Sequence, residues 1–166
     1  MGAPTSSSLA SKSLPPHSSL GDITPNNIGQ LRKLNTVLFP VKYDEKFYKE
    51  VLEVGDFAKL AYYYDVCVGA ICCRKELTHS PPRLYIMTIG VLAPYRNLGI
   101  GSALLSYVIE RARAAHYSEI YLHLQVSNEE ALSLYTRHGF EVRELVKNYY
   151  KRIEPADAHL LALKLE

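Results

Sequence analysis

Several absences narrow the reading before any motif is considered. There are only three cysteines, Cys67, Cys72 and Cys73, an odd number without CxxC spacing. A disulfide framework is therefore not indicated, and thiols inside an apolar run act as small hydrophobes. A reducing compartment is the expectation. Nineteen Lys and Arg against 17 Asp and Glu leave a net charge of +2, too small a surplus to draw nucleic acid or an anionic membrane as the main partner. No apolar run approaches the ~18 residues of a membrane span, and the first residues form no apolar leader core. The chain is expected to be soluble, in the cytoplasm or also the nucleus.

What is present suits one domain: 166 residues, 48% apolar and 22% charged. A chain of this length buries roughly two thirds of its unfolded surface and holds a core without disulfides or a structural metal. Residues 1–19 are rich in Ser, Ala and Pro and lack acids and arginine, so the composition predicts a disordered tail over 1–19 and a single folded domain over 20–166. Met1-Gly2-Ala3-Pro4-Thr5-Ser6 fits a myristoylation pattern, and the Ser-rich, acid-poor composition also resembles a transit peptide.

Thr24-Pro25 offers a helix start, with Ile28, Leu31 and Leu34 following at helical spacing and a stop before Phe39-Pro40. Asp44 caps a second helix that closes at Gly55. Phe57 to Tyr63 and Val66 to Arg74, separated by Tyr64-Asp65, read as a hairpin. Arg83 to Leu92 is a nearly continuous apolar strand, the pattern of a central position in a sheet. Ile100, Leu104, Val108 and Ala112 mark an amphipathic helix, Glu119 to Val126 a further strand, and Ser127 to Glu130 a capping box. Phe140 to Val146 and Asp157 to Leu165 complete the strands. Strand, helix, strand, helix implies parallel central strands in a mixed sheet, an α/β fold.

The most specific local signal is Arg96-Asn97-Leu98-Gly99-Ile100-Gly101-Ser102, between a buried strand and a helix. Glycines let the backbone approach a ligand, and a helix start favours anionic oxygens. Arg96 adds a guanidinium for a charge-assisted bond, so the loop suits a pyrophosphate. It lacks the lysine of the GxxxxGK[ST] loop and the third glycine of GxGxxG. A glycine-containing turn with no ligand remains the alternative on these residues alone. In the following strand, alternation places Tyr121, His123 and Gln125 on one face, and Tyr85, Met87 and Ile89 share a face in the neighbouring strand.

The [RQ]xxGxG pattern after an apolar strand, with Asn128 and Tyr135 further on, resembles the GNAT N-acetyltransferases. The segments Phe39-Pro40-Val41 with Tyr43, Leu84 to Thr88 through Leu92 to Arg96, Tyr121-Leu122-His123 and Asn148 to Ala158 resemble the NatE-type catalytic subunit of protein N-terminal acetyltransferases. The resemblance runs from about Leu20 to the C-terminus. It implies a GNAT fold, with a mixed central sheet whose parallel central strands splay apart between flanking helices. Acetyl-CoA is the implied co-substrate and no metal is implied. The pyrophosphate would lie on Arg96, Asn97, Leu98, Gly99, Ile100, Gly101 and Ser102, and the pantetheine along Ile89, Gly90 and Val91, with Asn128 and Tyr135 lining the slot.

The same resemblance assigns Tyr85 and His123 to deprotonating the substrate amine and Tyr135 to protonating the departing thiolate. Phe39, Pro40, Val41, Tyr43, Met87, Tyr149, Tyr150 and Ile153 would hold a peptide that begins with Met and a hydrophobic residue. The implied enzyme is an acetyl-CoA-dependent N-terminal methionine Nα-acetyltransferase acting on peptide or nascent-chain N-termini, with a NatA-type complex at the ribosome as a partner. Two alternatives stay open: acetylation of lysine ε-amines by the same fold, and a non-catalytic acetyl-CoA-binding subunit of an acetyltransferase complex.

Overall fold

In the computed structural model of the chain, residues 14–165 are described. The elements in chain order are β1 (Ser18–Asp22), α1 (Ile28–Leu38), α2 (Glu45–Glu53), β2 (Ala58–Tyr63), β3 (Val66–Glu76), β4 (Arg83–Val91), α3 (Ile100–Ala114), β5 (Glu119–Gln125), α4 (Glu129–Arg137), β6 (Glu141–Val146) and β7 (Ala158–Lys164). Strand neighbours follow the order β1-β2-β3-β4-β5-β7-β6. β4 and β5 run parallel, while β1/β2, β2/β3, β5/β7 and β6/β7 are antiparallel. The sheet is thus mixed, as the sequence predicts. Two compact units divide the chain: one takes the residues up to Arg74 with Met87–Arg111, the other Lys75–Ile86 with the residues from Ala112 onward. Among the described residues no helix is long and apolar enough to cross a membrane.

In the first unit, β1 corrects the expected boundary at residue 19. Ser18 and Ser19 pair with Tyr63 and Tyr62 of β2, and the Ser18 N–H and hydroxyl both donate to the Pro15 carbonyl. This edge strand has few residues of high β-propensity and is held by its ladder to β2. Lys59 of β2 lies opposite Asp22 in that ladder; its buried ammonium pairs with Asp22 and with Asp56 at 3.4 Å. Residues 1–13, with the myristoylation and transit-peptide patterns, lie outside the described residues.

Helix α1 begins at Ile28 with Asn27 as its N-cap residue, three residues after the expected Thr24. Thr24 instead forms its own turn. Its N–H donates to Asn27 Oδ1 at 2.8 Å, and its carbonyl accepts the Ile28 N–H at 2.9 Å. The helix ends at an extended Phe39, the conformation a following proline demands. Asp44 caps α2 by accepting the Phe47 N–H at 3.0 Å, and Gly55 at φ +70° turns the chain beyond it. Tyr64 and Asp65 both have positive φ, the primed geometry that matches the twist of a two-residue hairpin.

In the second unit, β5 alternates cleanly. Ile120, Leu122 and Leu124 are buried, while the residues between them are half-buried on the other face. Helix α4 is capped by Asn128, whose Oδ1 accepts the Ala131 N–H at 3.1 Å; the cap is therefore Asn128 and not Ser127. Gly139 at φ +95° follows that helix. The outermost strand, β6, is blunted by charge and by a register shift between Val142 and Glu144, both devices that discourage further strand pairing.

Candidate functional site

The parallel register of β4 and β5 runs from Arg83 opposite Glu119 to Tyr85 opposite Tyr121. Two residues beyond that last rung, β5 presents His123 on the same face as Tyr121. The Tyr85 hydroxyl and His123 Nδ1 lie 2.9 Å apart. Tyr149, from the linker after β6, lays its ring on the imidazole at 4.2 Å with planes 13° apart, and its hydroxyl is 3.4 Å from that of Tyr85. Tyr150 meets Tyr149 edge-on at 4.9 Å. The second unit therefore brings together Tyr85, His123, Tyr149 and Tyr150.

Hydrogen bonds to the linker's main chain hold it in place. The Tyr150 N–H donates to the Ala156 carbonyl at 2.8 Å, Asn148 N–H to Asp157 Oδ1 at 2.8 Å, and Gln125 Nε2 to the Pro155 carbonyl at 2.9 Å. Asn148 takes a positive φ of 55°, which Asn tolerates better than most residues. Gln125, on the His123 face, thus ties the Tyr149-Tyr150 segment to β5.

Burial holds the His123 pKa below its ordinary value of 6.5, against the opposing pull of the Glu144 carboxylate. The imidazole is therefore neutral at physiological pH and retains a lone pair. With its proton on Nε2, Nδ1 accepts the Tyr85 hydroxyl hydrogen. In that tautomer a proton reaching the Tyr85 oxygen can pass on to His123, an arrangement able to serve as a relayed general base.

The first unit holds the loop and the other aromatic residues. Asn97 and Gly99 have φ of +65° and +86°, and α3 opens immediately afterwards at Ile100. The loop thus combines left-handed backbone with a helix start, a fit for phosphate oxygens. Arg96 Nε donates to the Val91 carbonyl at 2.8 Å, so one face of the guanidinium is tied to the end of β4. A side chain at Gly90 would place its Cβ 2.9 Å from Leu38 Cδ1 and 3.2 Å from Phe39 Cζ. Phe39 therefore packs directly over the Ile89–Val91 segment. Tyr43 meets Phe39 edge-on at 6.1 Å and stacks on Phe47 at 4.5 Å; Pro40 and Val41 are exposed, and Met87 is half-buried.

Asn128 and Tyr135 make structural contacts. Asn128 is occupied as the α4 cap. Tyr135 is only 2% exposed and packs its ring against Phe140 at 5.3 Å. Ile153 is half-buried within the linker. Among the described residues no group of three or more His, Cys, Asp or Glu is placed to hold a metal ion.

Sequence reasoning missed the charged residues around the pair. The Tyr121 hydroxyl donates to Glu76 Oε1 at 2.5 Å, Arg83 bridges Glu76 and Glu119, and Arg143 also reaches Glu119 at 2.9 Å. Only the strand register reveals them, since Arg83 and Glu119 stand opposite each other once β4 and β5 are paired.

Residues 28–140 match the model of the Acetyltransferase (GNAT) family. The chain is 57% identical over 147 residues to N-alpha-acetyltransferase 50 of Danio rerio, covering 88% of each chain. It is 54% identical over 143 residues to the probable N-acetyltransferase san of Drosophila melanogaster, covering 86% of this chain and 78% of that one. Among solved structures it is similar to Arabidopsis thaliana Naa50 in complex with the bisubstrate analogue CoA-Ac-MVNAL. That match has a TM-score of 0.85 and 49% identity, covering 89% of this chain and 98% of the other.

Proposed function

The chain belongs to the GNAT family of acetyltransferases, and from that premise we propose that it transfers the acetyl group of acetyl-CoA to the α-amine of protein N-termini. The observation that carries the reading is the 2.9 Å pairing of Tyr85 with a neutral His123. High identity to N-alpha-acetyltransferase 50 supports it.

Aminolysis of a thioester joins the amine nitrogen to the acetyl carbon and breaks the carbon–sulfur bond. The attacking amine must first give up a proton. The Tyr85 oxygen receives it, directly or through water, as the Tyr85 hydroxyl proton moves to His123 Nδ1. A relay of this kind contributes roughly 10²–10⁴ in rate. Ile89, Gly90 and Val91 present main-chain groups to the pantetheine arm, and Arg96 to Ser102 receive the pyrophosphate. A main-chain N–H of the same strand segment stabilises the oxyanion. Asn128 contributes to the cofactor slot, and Tyr135 is assigned the proton for the departing thiolate.

Phe39, Pro40, Val41, Met87 and Ile153 supply apolar contact, and Tyr43, Tyr149 and Tyr150 add hydroxyls for peptide main chain. This set suits a substrate starting with Met and then a hydrophobic residue. The peptide part of the analogue bound to the Arabidopsis relative, MVNAL, has that form. We further propose that the substrates are nascent chains in the cytoplasm, met in association with a NatA-type complex.

Mass spectrometry of a peptide panel after incubation with acetyl-CoA tests the reading. Met-Leu and Met-Val peptides are expected to gain one acetyl group at the α-amine, while N-terminally blocked peptides with an internal lysine stay unmodified. Modification confined to lysine would establish the ε-amine alternative. Cofactor binding without turnover on any peptide would establish a non-catalytic subunit.

A further inference from the structure

Tyr121 carries no proton in the mechanism above, yet its side chain is braced by an acid and a guanidinium. Its hydroxyl donates to Glu76 Oε1 at 2.5 Å. Arg83 Nη2 donates to that same oxygen at 3.0 Å and to the Tyr121 hydroxyl at 3.4 Å, and the guanidinium carbon sits 4.4 Å from the centre of the Tyr121 ring. Arg83 is fixed in turn by Glu119 at 3.3 Å, and Glu119 by Arg143 at 2.9 Å. Four strands, β3, β4, β5 and β6, each supply a charge to this brace.

These charges are not ordinary surface pairs. The side chains of Glu119, Glu76 and Arg83 are 13%, 20% and 28% exposed. Withdrawing such groups from water costs free energy that their mutual attraction offsets only with good geometry, and an apolar cluster of the same volume stabilises a fold at least as well. What a charged brace adds is a fixed direction. Here that direction ends on Tyr85, whose ring lies 4.9 Å from the Tyr121 ring at an interplanar angle of 61°, an edge-to-face contact within the favourable range. Tyr149 bears on the same group from the linker, through His123 and the hydroxyl contact. The Tyr85 ring thus rests on Tyr121, and its hydroxyl meets His123 and Tyr149.

We propose that Tyr121, anchored by Glu76 and Arg83, is a positioning residue that holds the Tyr85 ring so that its hydroxyl meets His123 Nδ1. The proposal rests on the reading of Tyr85 and His123 as the proton-accepting pair. It extends that pair to residues that the mechanism above does not use.

Steady-state kinetics on the full-length enzyme, with acetyl-CoA and a Met-Leu peptide, test it in two backgrounds. Tyr121→Phe keeps the ring and loses the anchor; Tyr121→Leu loses both. An edge-to-face contact is a modest term that Tyr121→Phe leaves unanchored and Tyr121→Leu removes, so the expected loss in kcat is roughly 3-fold for the first and up to about 10-fold for the second, with both KM values within about twofold of the parent. Glu76→Gln, which retains an acceptor for the Tyr121 hydroxyl, is expected to keep most of the activity. In a Tyr85→Phe background neither Tyr121 variant lowers kcat further, because the group being positioned is gone. Should Tyr121→Leu fail to fold, Tyr121→Phe decides alone.

Unchanged kcat in Tyr121→Phe, or an equal loss with and without the Tyr85 hydroxyl, overturns the proposal and leaves Tyr121 a structural residue. If Tyr85→Phe itself matches the parent, the proton-relay reading falls and the proposal falls with it. An impaired Tyr85→Phe beside a fully active Tyr121→Phe removes only the proposal.

Discussion

His123 and Glu144 stand on the same face of the sheet, separated by β7: both pair with Leu160, one from β5 and the other from β6. Two strand spacings put their backbones about 10 Å apart. The Glu144 carboxylate thus works on the imidazole from a fixed distance, opposing the burial that lowers the His123 pKa.

The first prediction concerns pH. Because burial outweighs Glu144, the acid limb of kcat/KM is expected at a pH below 6.5, the ordinary histidine value. Glu144→Gln removes the opposing charge and moves the limb further to acid, and Glu144→Lys further still. Stability follows the same sign. Below pH 6.5 the unfolded chain binds the His123 proton more tightly than the folded one, so stability drops as pH falls from 6.5 through the folded value. His138, also lowered by burial and by Arg137, adds to that drop, so His123→Ala removes only part of it. A pH-rate profile and denaturant titrations at several pH values read both effects. An acid limb above 6.5 would contradict the burial argument.

The second concerns the pair itself. Tyr85→Phe and His123→Ala are each expected to lower kcat by roughly 10²-fold or more, and the double variant by little beyond the larger single loss, since the two act on one proton. Neither residue belongs to the Arg96 loop, so calorimetry should give an unchanged acetyl-CoA affinity for all three.

Much of this arrangement is legible in the sequence, and the gaps have physical causes. Alternation through Tyr121, Leu122, His123, Leu124 and Gln125 sorts the two faces of β5 correctly, because burial on one side of a sheet imposes a period of two. Tyr64-Asp65 reads as a tight turn without a glycine because its length alone matches the hairpin. Ser18 to Asp22 does not read as a strand, since its order comes from the ladder to β2 and its serines blend into the tail composition. Thr24 and Ser127 each look like a cap, yet α1 starts after a turn in which Asn27 accepts the Thr24 N–H and makes no side-chain cap bond, and Asn128 caps α4; residue type alone does not rank adjacent cap candidates. Glu76, Arg83 and Glu119 are ordinary charges until three strands are set in register.

The third prediction addresses the loop. Arg96 is anchored through Nε to the Val91 carbonyl, which orients its terminal nitrogens. Arg96→Ala is expected to weaken acetyl-CoA binding about 10-fold or more, the usual scale of a hydrogen bond to a charged group. Arg96→Lys restores only part, because an ammonium lacks the fork that grips Val91 and a phosphate together. Acetyl-pantetheine, which has no pyrophosphate, should bind parent and variant alike. Calorimetry with both ligands separates a phosphate contact from general damage.

The fourth concerns the thiols. Burial pushes Cys72 up to about 12, with Thr88 opposing, and holds Cys73 well above its ordinary value, with Cys72 adding to the rise; Cys67, half-buried, is raised by the same cause. Since the thiolate is the reactive form, iodoacetamide at neutral pH is expected to modify Cys67 slowly and to leave Cys72 and Cys73 untouched until the protein unfolds. Peptide mapping by mass spectrometry reads the order directly.

The last prediction follows from how closely β3 approaches β4. A Cβ at Gly69 would lie 2.8 Å from the Gly90 carbonyl oxygen and 3.2 Å from Val91 Cγ2. The first of these is backbone and cannot swing aside, so Gly69→Ala must separate the strands, at a cost of ~1–3 kcal/mol typical of overpacking. The displaced segment is Gly90-Val91, the proposed pantetheine edge, so acetyl-CoA affinity should fall along with stability. Gly90→Ala behaves differently. Its Cβ meets Leu38 Cδ1 at 2.9 Å and Phe39 Cζ at 3.2 Å; the leucine end can rotate away, and the Phe39 ring must shift. Stability should change less and the peptide KM more. Gly29, in the first turn of α1, has no neighbour within 4 Å, so Gly29→Ala should stabilise by less than the roughly 1 kcal/mol of a helix-interior site. Urea unfolding of the three variants, with KM for each substrate, distinguishes a backbone clash from a movable side chain. Equal losses from Gly69→Ala and Gly90→Ala would contradict that distinction.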